Sequence, residues 1–425
     1  MRVLQTLALP LGYGAEIRGL IAEVSFPVKR GAALILESKS AAMSSGFKTY
    51  SEEHEAFRAT VRQFVQRELK PHIAKWEEAE EFPRELYGKA AEIGLFGLKY
   101  EEKYGGSNAG FFFEAVATEE LSKCGSGGVA AGLGAQMTIA TGPIHLFGSD
   151  AQKQRYLTRA IKGEWIGAFA VTEPSGGSDV AGLRTHAKKD GAGYVINGSK
   201  TYITSGVRAD YVIVAAKTDL TKGHKGLSMF LVDRGTPGFT VSKKLKKLGW
   251  RASDTAELHF EDCRVPAEAL LGTEGGGFPQ IMGNFQWERL SLALGAVGAG
   301  EDILETAIEY AKNREAFGQA LAKFQLTRHK LADLATDLEC ARQLTYHALR
   351  LHAAGEWALG QTAMAKKVAT EMCCRLADAS LQLHGGAGYM MEFDIQRHWR
   401  DARLGPIGGG TSEIMNEIIA KQLGL

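Results

Sequence analysis

A run of three glycines, in GPIGGGTSEI at residues 405–414, precedes what looks like the start of a helix. Gly408 to Gly410 give a backbone that can adopt positive φ and that lets another molecule approach closely. Thr411 or Ser412 can cap a helix whose first N–H groups point back at the loop. The pattern predicts a binding loop. Its glycines supply no acid, base or nucleophile, so the reacting group must lie elsewhere.

A second candidate binding segment is AVTEPSGGSDVAGLRT, residues 170–185. A short predicted strand ends at Val171 and Thr172, and a proline and two glycines then turn the chain toward Ser178. Backbone groups and hydroxyls at a strand end suit a planar ring that forms many hydrogen bonds. The alternative is an ordinary β-turn, which would leave the related pattern TYITSG at residues 201–206 as a coincidence.

The elements that must position these segments follow the order helices, strands, helices. Helical spacing of apolar residues continues to about residue 165, short strand-like runs fill the middle of the chain, and helical spacing returns from Phe285. The sequence predicts an α+β fold with an N-terminal α-helical domain, a middle antiparallel β-domain and a C-terminal α-helical domain. The predicted boundaries are 46–165, 166–278 and 279–425.

Two local signals give finer predictions. Thr49 and Glu52 have the spacing of a capping box, and Pro71 is expected to end the helix that follows. Asn197-Gly198, within GYVINGSKTYIT, predicts the turn of a β-hairpin.

Composition excludes several function classes. Lys plus Arg (50) and Asp plus Glu (49) nearly cancel, so net charge gives no support to nucleic-acid binding. The five cysteines contain no CxxC spacing, which argues against a zinc site and favours a reducing compartment. No apolar run has membrane-spanning length, so no membrane insertion is expected. The absence of βαβ alternation argues against a Rossmann site.

Residues 1–45 are predicted to be an N-terminal extension outside the core. The segment has acidic residues and no long apolar stretch, which argues against a secretory signal, and it is poor in arginine for a mitochondrial presequence. This interpretation is compatible with a true start at Met43, downstream of the extension.

Five motifs carry a resemblance to a known family: VTEPSGGSD, NGSKTYIT, NREAFG, LQLHGGAGY and IGGGTSE. They occur in the order seen in acyl-CoA dehydrogenases, and the resemblance runs from about Thr49 to Leu425. It implies FAD, a fatty acyl-CoA thioester, and a fold of helices, a β-barrel-like domain and a four-helix bundle. It also implies a homotetramer built as a dimer of dimers, with an electron-transfer flavoprotein as electron acceptor.

The resemblance assigns one set of residues to the flavin of the same chain. Val171 and Thr172 resemble the pair that hydrogen-bonds the flavin ring, and Ser178 matches a serine between FAD and the thioester. Tyr202 stands where many relatives have tryptophan. The set is Phe169, Val171, Thr172, Ser178, Tyr202 and Thr204.

A further set resembles residues that bind the FAD of a neighbouring subunit. An arginine such as Arg314 suits a pyrophosphate, because its planar guanidinium can bind two oxygens at once. Alone, it would be read as a solvated cation at a helix end. The set is Arg314, Phe317, Gln325, Gln382, Gly385, Gly386, Thr411, Ser412 and Glu413.

Dehydrogenation of a thioester requires a base, because the α-proton must be taken while the flavin accepts the β-hydride. Many family members carry a glutamate directly before GTS, where this chain has Gly409. A branch including long-chain and isovaleryl enzymes instead places it before an arginine in the helix after the β-domain, which matches Glu288 and Arg289. On a helix Glu288 shares a face with Leu292 and Gly295, so poor solvation should raise its pKa above about 4.3. The alternative is a surface glutamate paired with a cation.

The resemblance also assigns the substrate side of the site. The N–H of Gly409 would meet the thioester oxygen as charge develops on it, and Gly410 would let the acyl chain pass close to the backbone. Arg289 is expected to order the helix or the loop rather than to react, and Gln286 replaces an aspartate that contacts CoA in some relatives. The predicted substrate-binding residues are Ser178, Gln286, Arg289, Gly409 and Gly410.

Several alternatives stay open at this stage. The same fold could serve an acyl-CoA oxidase or another flavoenzyme, and a flavin-free scaffold that binds CoA is a rival of a different class. The sequence does not reveal the length or branching of the acyl group. A bacterial cytoplasmic location is favoured over the mitochondrial matrix.

Overall fold

The fold follows the predicted order of helices, sheet and helices. A computed structural model of the chain describes residues 49–425. The predicted extension at residues 1–45 and the alternative start at Met43 therefore lie outside the described residues. Within residues 49–425, no helix has both the length and the apolar character needed to cross a bilayer.

The N-terminal part is helical, with two corrections to the sequence predictions. The first capping box joins Ser51 and His54, because the extended backbone of Ser51 aims its hydroxyl at the His54 N–H. The predicted pair Thr49 and Glu52 is therefore wrong. Pro71 does not end the helical path, since it lies in the first turn of a 3₁₀ segment, where its missing N–H is not needed. The helices are α1 (Glu52–Phe64), α2 (Ile73–Ala79), α3 (Glu85–Glu92), α4 (Phe111–Ser122), α5 (Gly127–Gly134), α6 (Gly142–Phe147), α7 (Asp150–Gln152) and α8 (Thr158–Ile161).

The middle part is one mainly antiparallel sheet. Its strands follow the order β6-β7-β3-β2-β4-β5-β8, and β1 pairs in parallel with β4. Alternating side chains of these strands form a buried core that includes Ile196, Val214, Phe230 and Leu258. The strands are β1 (Gly167–Ala170), β2 (His186–Asp190), β3 (Gly193–Thr204), β4 (Tyr211–Lys217), β5 (Leu227–Asp233), β6 (Phe239–Lys244), β7 (Thr255–Pro266) and β8 (Leu270–Leu271).

The hairpin predicted at Asn197-Gly198 is wrong, because both residues lie inside β3. The β3–β7 register shifts at this point, with the extra residue on β7, so the Asn-Gly pair lies opposite a β-bulge. Gly198 itself has φ +147°. A Cβ atom on Gly198 would lie 2.4 Å from the Thr185 hydroxyl, so glycine serves a close approach there. The β2–β3 turn lies instead at Gly191, which has φ +59°.

The C-terminal part is a bundle of long helices. Helix α9 packs against α10 and α11, and α13 packs on α11. Leu294, Val297, Met372 and Leu376 are buried between them. The first half of α9 also packs against α4, so this helix connects the bundle with the N-terminal helices. The elements are α9 (Gly277–Asn313), β9 (Glu315–Ala316), β10 (Gln319–Ala320), α10 (Gln325–Ala353), α11 (Leu359–His384), α12 (Ile395–Ala402) and α13 (Ser412–Gln422).

Candidate active site

A cavity of about 1530 Å³ lies between the sheet, the first half of α9 and the loop before α13. It exceeds the roughly 300–1,000 Å³ of a typical small-molecule pocket, so it has room for a cofactor and a substrate together. Twelve of the predicted site residues line it, and they come from all three kinds of segment. These are Phe169, Val171, Thr172, Ser178, Tyr202, Thr204, Gln286, Glu288, Arg289, Gly409, Gly410 and Thr411.

The strand end at Val171 and Thr172 is held by a lysine that the sequence analysis did not select. Lys200 is fully buried, and its Nζ donates to the Val171 carbonyl at 3.0 Å and to Glu173 Oε1 at 2.9 Å. The Thr201 N–H donates to the Thr172 carbonyl at 2.9 Å. Burial lowers the Lys200 pKa to about 8. Glu173 lies in VTEPSGGSD and Lys200 in NGSKTYIT. Their place in two motifs at a predicted binding segment was the signal that could have identified this ion pair from the sequence.

Tyr202 reaches the cavity through an unusual backbone conformation. Its φ is +60°, a left-handed value that costs an aromatic residue on the order of 1 kcal/mol. The β3–β7 register shifts a second time between Lys200 and Ile203. Such a bulge redirects side chains. The side chain of Tyr202 is 71% exposed and lines the cavity. This strain supports a ligand-facing role for the ring.

Glu288 lies on α9 beside the glycine loop. A Cβ atom built on Gly409 would lie 3.6 Å from Glu288 Oε1 and 2.6 Å from Leu292 Cδ1. Glu288 Oε2 is buried and accepts no hydrogen bond from the described part of the chain. Burial raises the Glu288 pKa to about 7, against the opposing charges of Arg289 and Lys366. The raised pKa predicted from the apolar helix face is confirmed.

Two buried cations hold the loop beside Glu288. Arg289 Nε donates to the Gly409 carbonyl at 3.1 Å, and Lys366 Nζ donates to the Gly410 carbonyl at 2.7 Å. Gly409 and Gly410 have φ values of +64° and +97°, which explains why this loop needs glycine. Within residues 49–425, neither of their N–H groups donates a hydrogen bond. The loop can therefore offer backbone donors to a ligand.

The helix after the loop uses only one of its two candidate caps. Thr411 is the N-cap, and its hydroxyl accepts from the Ile414 N–H at 3.3 Å. The Ser412 hydroxyl donates to Glu371 Oε1 at 2.8 Å, and the Glu413 side chain is exposed. Ser412 and Glu413, both predicted to bind the cofactor, do not line this cavity.

The remaining predicted cofactor residues lie together at one end of the bundle, away from the cavity. The Tyr310 hydroxyl donates to the His384 carbonyl at 3.2 Å and joins the end of α9 to the end of α11 there. Phe317 is 96% exposed in the short β9–β10 hairpin. None of these residues lines the cavity of the same chain. The group consists of Arg314, Phe317, Gln325, Gln382, Gly385 and Gly386.

The cavity residues fit a planar redox cofactor with a substrate beside it. One wall offers the strand-end backbone at Val171 and Thr172, and Tyr202 presents an aromatic ring. The other side offers the unpartnered carboxylate oxygen of Glu288. A ring bound between these walls would exclude water from the carboxylate. The arrangement can therefore support proton abstraction next to a hydride acceptor.

Comparison with known proteins identifies the family to which the chain is related. The sequence matches the family models for the N-terminal, middle and C-terminal domains of acyl-CoA dehydrogenases over residues 51–164, 168–263 and 275–424. The long-chain specific acyl-CoA dehydrogenase of Sus scrofa mitochondria is 42% identical over 380 residues, which cover 88% of this chain and 87% of that protein.

Solved structures show the same fold. An acyl-CoA dehydrogenase from Geobacillus kaustophilus is 43% identical, with 88% of this chain and 99% of that chain covered and a TM-score of 0.86. A glutaryl-CoA dehydrogenase from Mycobacterium smegmatis in complex with FADH2 is 34% identical, with 88% and 95% covered and a TM-score of 0.83. The family catalyses FAD-dependent dehydrogenation of acyl-CoA. With three domain matches in order and these relatives, the chain belongs to the acyl-CoA dehydrogenase family.

Proposed function

We propose that this protein removes one α-hydrogen and one β-hydrogen from an acyl-CoA thioester and yields the trans-2-enoyl-CoA, with Glu288 as the base. One observation carries the proposal. Glu288 presents a buried, unpartnered carboxylate oxygen to the cavity, next to a glycine loop with free backbone donors. FAD, when bound, accepts the hydride that leaves the β-carbon.

The chain's own residues supply the proton chemistry. A pKa of about 7 leaves Glu288 able to accept a proton near neutral pH and to hold it once the substrate has released it. The N–H of Gly409 would donate to the thioester oxygen, which gains negative charge as the α-proton leaves. Arg289 acts by holding the Gly409 carbonyl, not by contact with the reacting carbon.

The flavin-facing residues bind and orient. The backbone and hydroxyl groups of Val171, Thr172 and Thr204 would hydrogen-bond the ring, and Tyr202 and Phe169 would pack near it. Ser178 would lie between the cofactor and the thioester. Lys200 supports this wall from behind by fixing the Val171 carbonyl.

The acyl group has a path along α9. Below Glu288, the same helix face lines the cavity at Leu292, Gly295, Ala299 and Ile303. At about 1.5 Å rise per residue, Glu288 and Ala299 are about 16 Å apart along the axis. Small and apolar side chains over that length suit a linear fatty acyl chain, with a branched acyl group as the alternative.

The site would be completed by other molecules. The bundle-end group around Arg314 would contact the FAD of a neighbouring subunit in a homotetramer built as a dimer of dimers. An electron-transfer flavoprotein would take the electrons from the reduced flavin. Relatives include mitochondrial and bacterial proteins, and a bacterial cytoplasmic location is the one we favour.

The test is an anaerobic mixing experiment with a panel of short, long and branched acyl-CoAs. Loss of the oxidised flavin absorbance with one class would support the proposal and identify that class as the substrate. Peroxide formation at the turnover rate in air would favour an oxidase. A colourless protein that takes up no FAD would favour a CoA-binding scaffold.

A further inference from the structure

Lys366, on α11, is a lysine with no exposed surface in the wall behind the glycine loop. Its Nζ donates to the Gly410 carbonyl at 2.7 Å. Burying an ammonium group is costly unless strong partners compensate for the lost water. The hydrogen-bond acceptor here is one carbonyl of the glycine loop beside Glu288. The buried ammonium group therefore acts directly on the site.

Lys366 and Arg289 hold two successive peptide groups. Arg289 binds the Gly409 carbonyl and Lys366 the Gly410 carbonyl. In a trans peptide the carbonyl and the following N–H point in opposite directions, so fixing these two carbonyls also aims the N–H groups of Gly410 and Thr411 and restrains the backbone that follows the Gly409 N–H. A glycine run has little conformational preference of its own. The two cations therefore supply the order that the loop lacks.

The charge of Lys366 also acts on the base. Four charged groups influence Lys366: Arg289 and Glu288 from α9, Glu371 from α11 itself and Glu413 from α13. Burial is the main cause that lowers the Lys366 pKa, to about 8, so the group is mostly protonated at neutral pH. In turn, its positive charge favours ionised Glu288 and opposes the effect of burial on that carboxyl.

We propose that Lys366 is a positioning residue for the dehydrogenation, which fixes the Gly410 carbonyl and, through its charge, sets the pH range in which Glu288 is ionised. The inference rests on the proposed function of Glu288. It differs from a purely structural role, since a structural lysine would affect stability without moving the protonation of the base.

The adjacent Lys367 offers a matched control. It is half-buried and pairs with Glu371 Oε2 at 3.1 Å, and within residues 49–425 its ammonium donates no hydrogen bond to a carbonyl of the glycine loop. The test compares FAD-loaded wild type, Lys366→Met, Lys366→Arg and Lys367→Met. Flavin reduction by an acyl-CoA is followed anaerobically from pH 5.5 to 9, and the melting temperature is measured over the same range without substrate.

The proposal predicts that Lys366→Met retains FAD and reduces its flavin at least tenfold more slowly than wild type. The acid limb of its pH–rate profile should move to higher pH by about one unit, because losing a positive charge near the Glu288 carboxylate raises the pKa of that group. The pH dependence of the melting temperature should shift in the same direction without any turnover. Lys366→Arg should return the limb toward its original position, and Lys367→Met should match wild type.

Two results would overturn the inference. The first is a Lys366→Met enzyme whose rate and acid limb match those of Lys367→Met. The second applies if Lys366→Met does not fold. In that case, the inference would be overturned by a Lys366→Arg enzyme that keeps the positive charge but still shows the slow flavin reduction and the shifted acid limb predicted for Lys366→Met. Failure of every protein, wild type included, to reduce its flavin with any acyl-CoA would contradict the proposed function itself.

Discussion

The side chain of Glu288 and the backbone of Gly409 converge on one point from different elements. Glu288 Oε1 lies 3.6 Å from the place that a Cβ atom at residue 409 would occupy. A carboxylate at either position could therefore reach a substrate carbon in the same part of the cavity. This relationship supports the proposal that Glu288 serves as the base while residue 409 is a glycine.

Moving the base to residue 409 should restore only part of the activity. In Glu288→Gln with Gly409→Glu, the new glutamate must adopt φ near +64°, and its Cβ atom would lie 2.6 Å from Leu292 Cδ1. We expect flavin reduction above that of Glu288→Gln alone and well below wild type. Adding Leu292→Ala should raise the rate further, since it removes the clash. Stopped-flow absorbance checks the series, and a triple variant no faster than Glu288→Gln would contradict the convergence.

The raised pKa of Glu288 should appear in the stability of the protein. The folded state holds this proton up to about pH 7 and the unfolded chain only to about 4.5, so the free energy of unfolding should fall as pH rises between those values. The shift corresponds to at most about 3 kcal/mol.

Glu288→Gln should lack this contribution. Relative to wild type, the variant should therefore gain melting temperature from pH 5 to pH 8. Glu305→Gln, an exposed position on the same helix, serves as the control. A difference between wild type and Glu288→Gln that is constant with pH would show that the carboxyl is not perturbed.

The bundle-end group should matter for cofactor retention in an assembly. Replacing Arg314 with methionine removes a cation suited to a pyrophosphate, so FAD should dissociate more readily on dilution. Arg375→Met, an exposed arginine of α11 paired with Asp337, is the control. Flavin fluorescence after gel filtration measures the loss. Equal retention in both variants would argue against a role at a neighbour's cofactor.

The path along α9 predicts that a bulky side chain placed in it will reduce the length of acyl chain that the enzyme accepts. Ala299→Phe would fill the cavity about 16 Å from Glu288, measured along the helix axis. We expect kcat/KM to fall at least tenfold for long linear acyl-CoAs and to stay near wild type for short ones. Steady-state assays across chain lengths test this. A uniform loss at every length would point to a packing defect instead.

The sequence revealed much of the site because its motifs lie in the segments that carry the chemistry. The resemblance to the branch with a glutamate before an arginine pointed to Glu288 as the base, and its poor solvation was predicted from Leu292 and Gly295 on the same helix face. Residue roles that depend on another subunit, such as that of Arg314, remain predictions.

Other features depended on tertiary contacts that local patterns do not carry. Lys366 was missed, because a lysine in AMAKKVAT is hard to tell from its half-buried neighbour Lys367 until the Gly410 carbonyl is located. The Asn197-Gly198 pair has the local chemistry of a turn. Pairing of β3 with β7 on both sides of it keeps it inside β3, opposite a bulge in β7. The position of Thr185 against Gly198 is visible only in the folded sheet.

The most direct test of the central claim is the rate of flavin reduction in Glu288→Gln. The substitution keeps the shape of the side chain and removes the base, and Glu305→Gln again provides the control. Both FAD-loaded proteins are mixed anaerobically with the acyl-CoA that reduces wild type most rapidly. We predict that Glu288→Gln still binds FAD and acyl-CoA but reduces its flavin several orders of magnitude more slowly. Reduction at a rate near that of Glu305→Gln would contradict the assignment of Glu288 as the base.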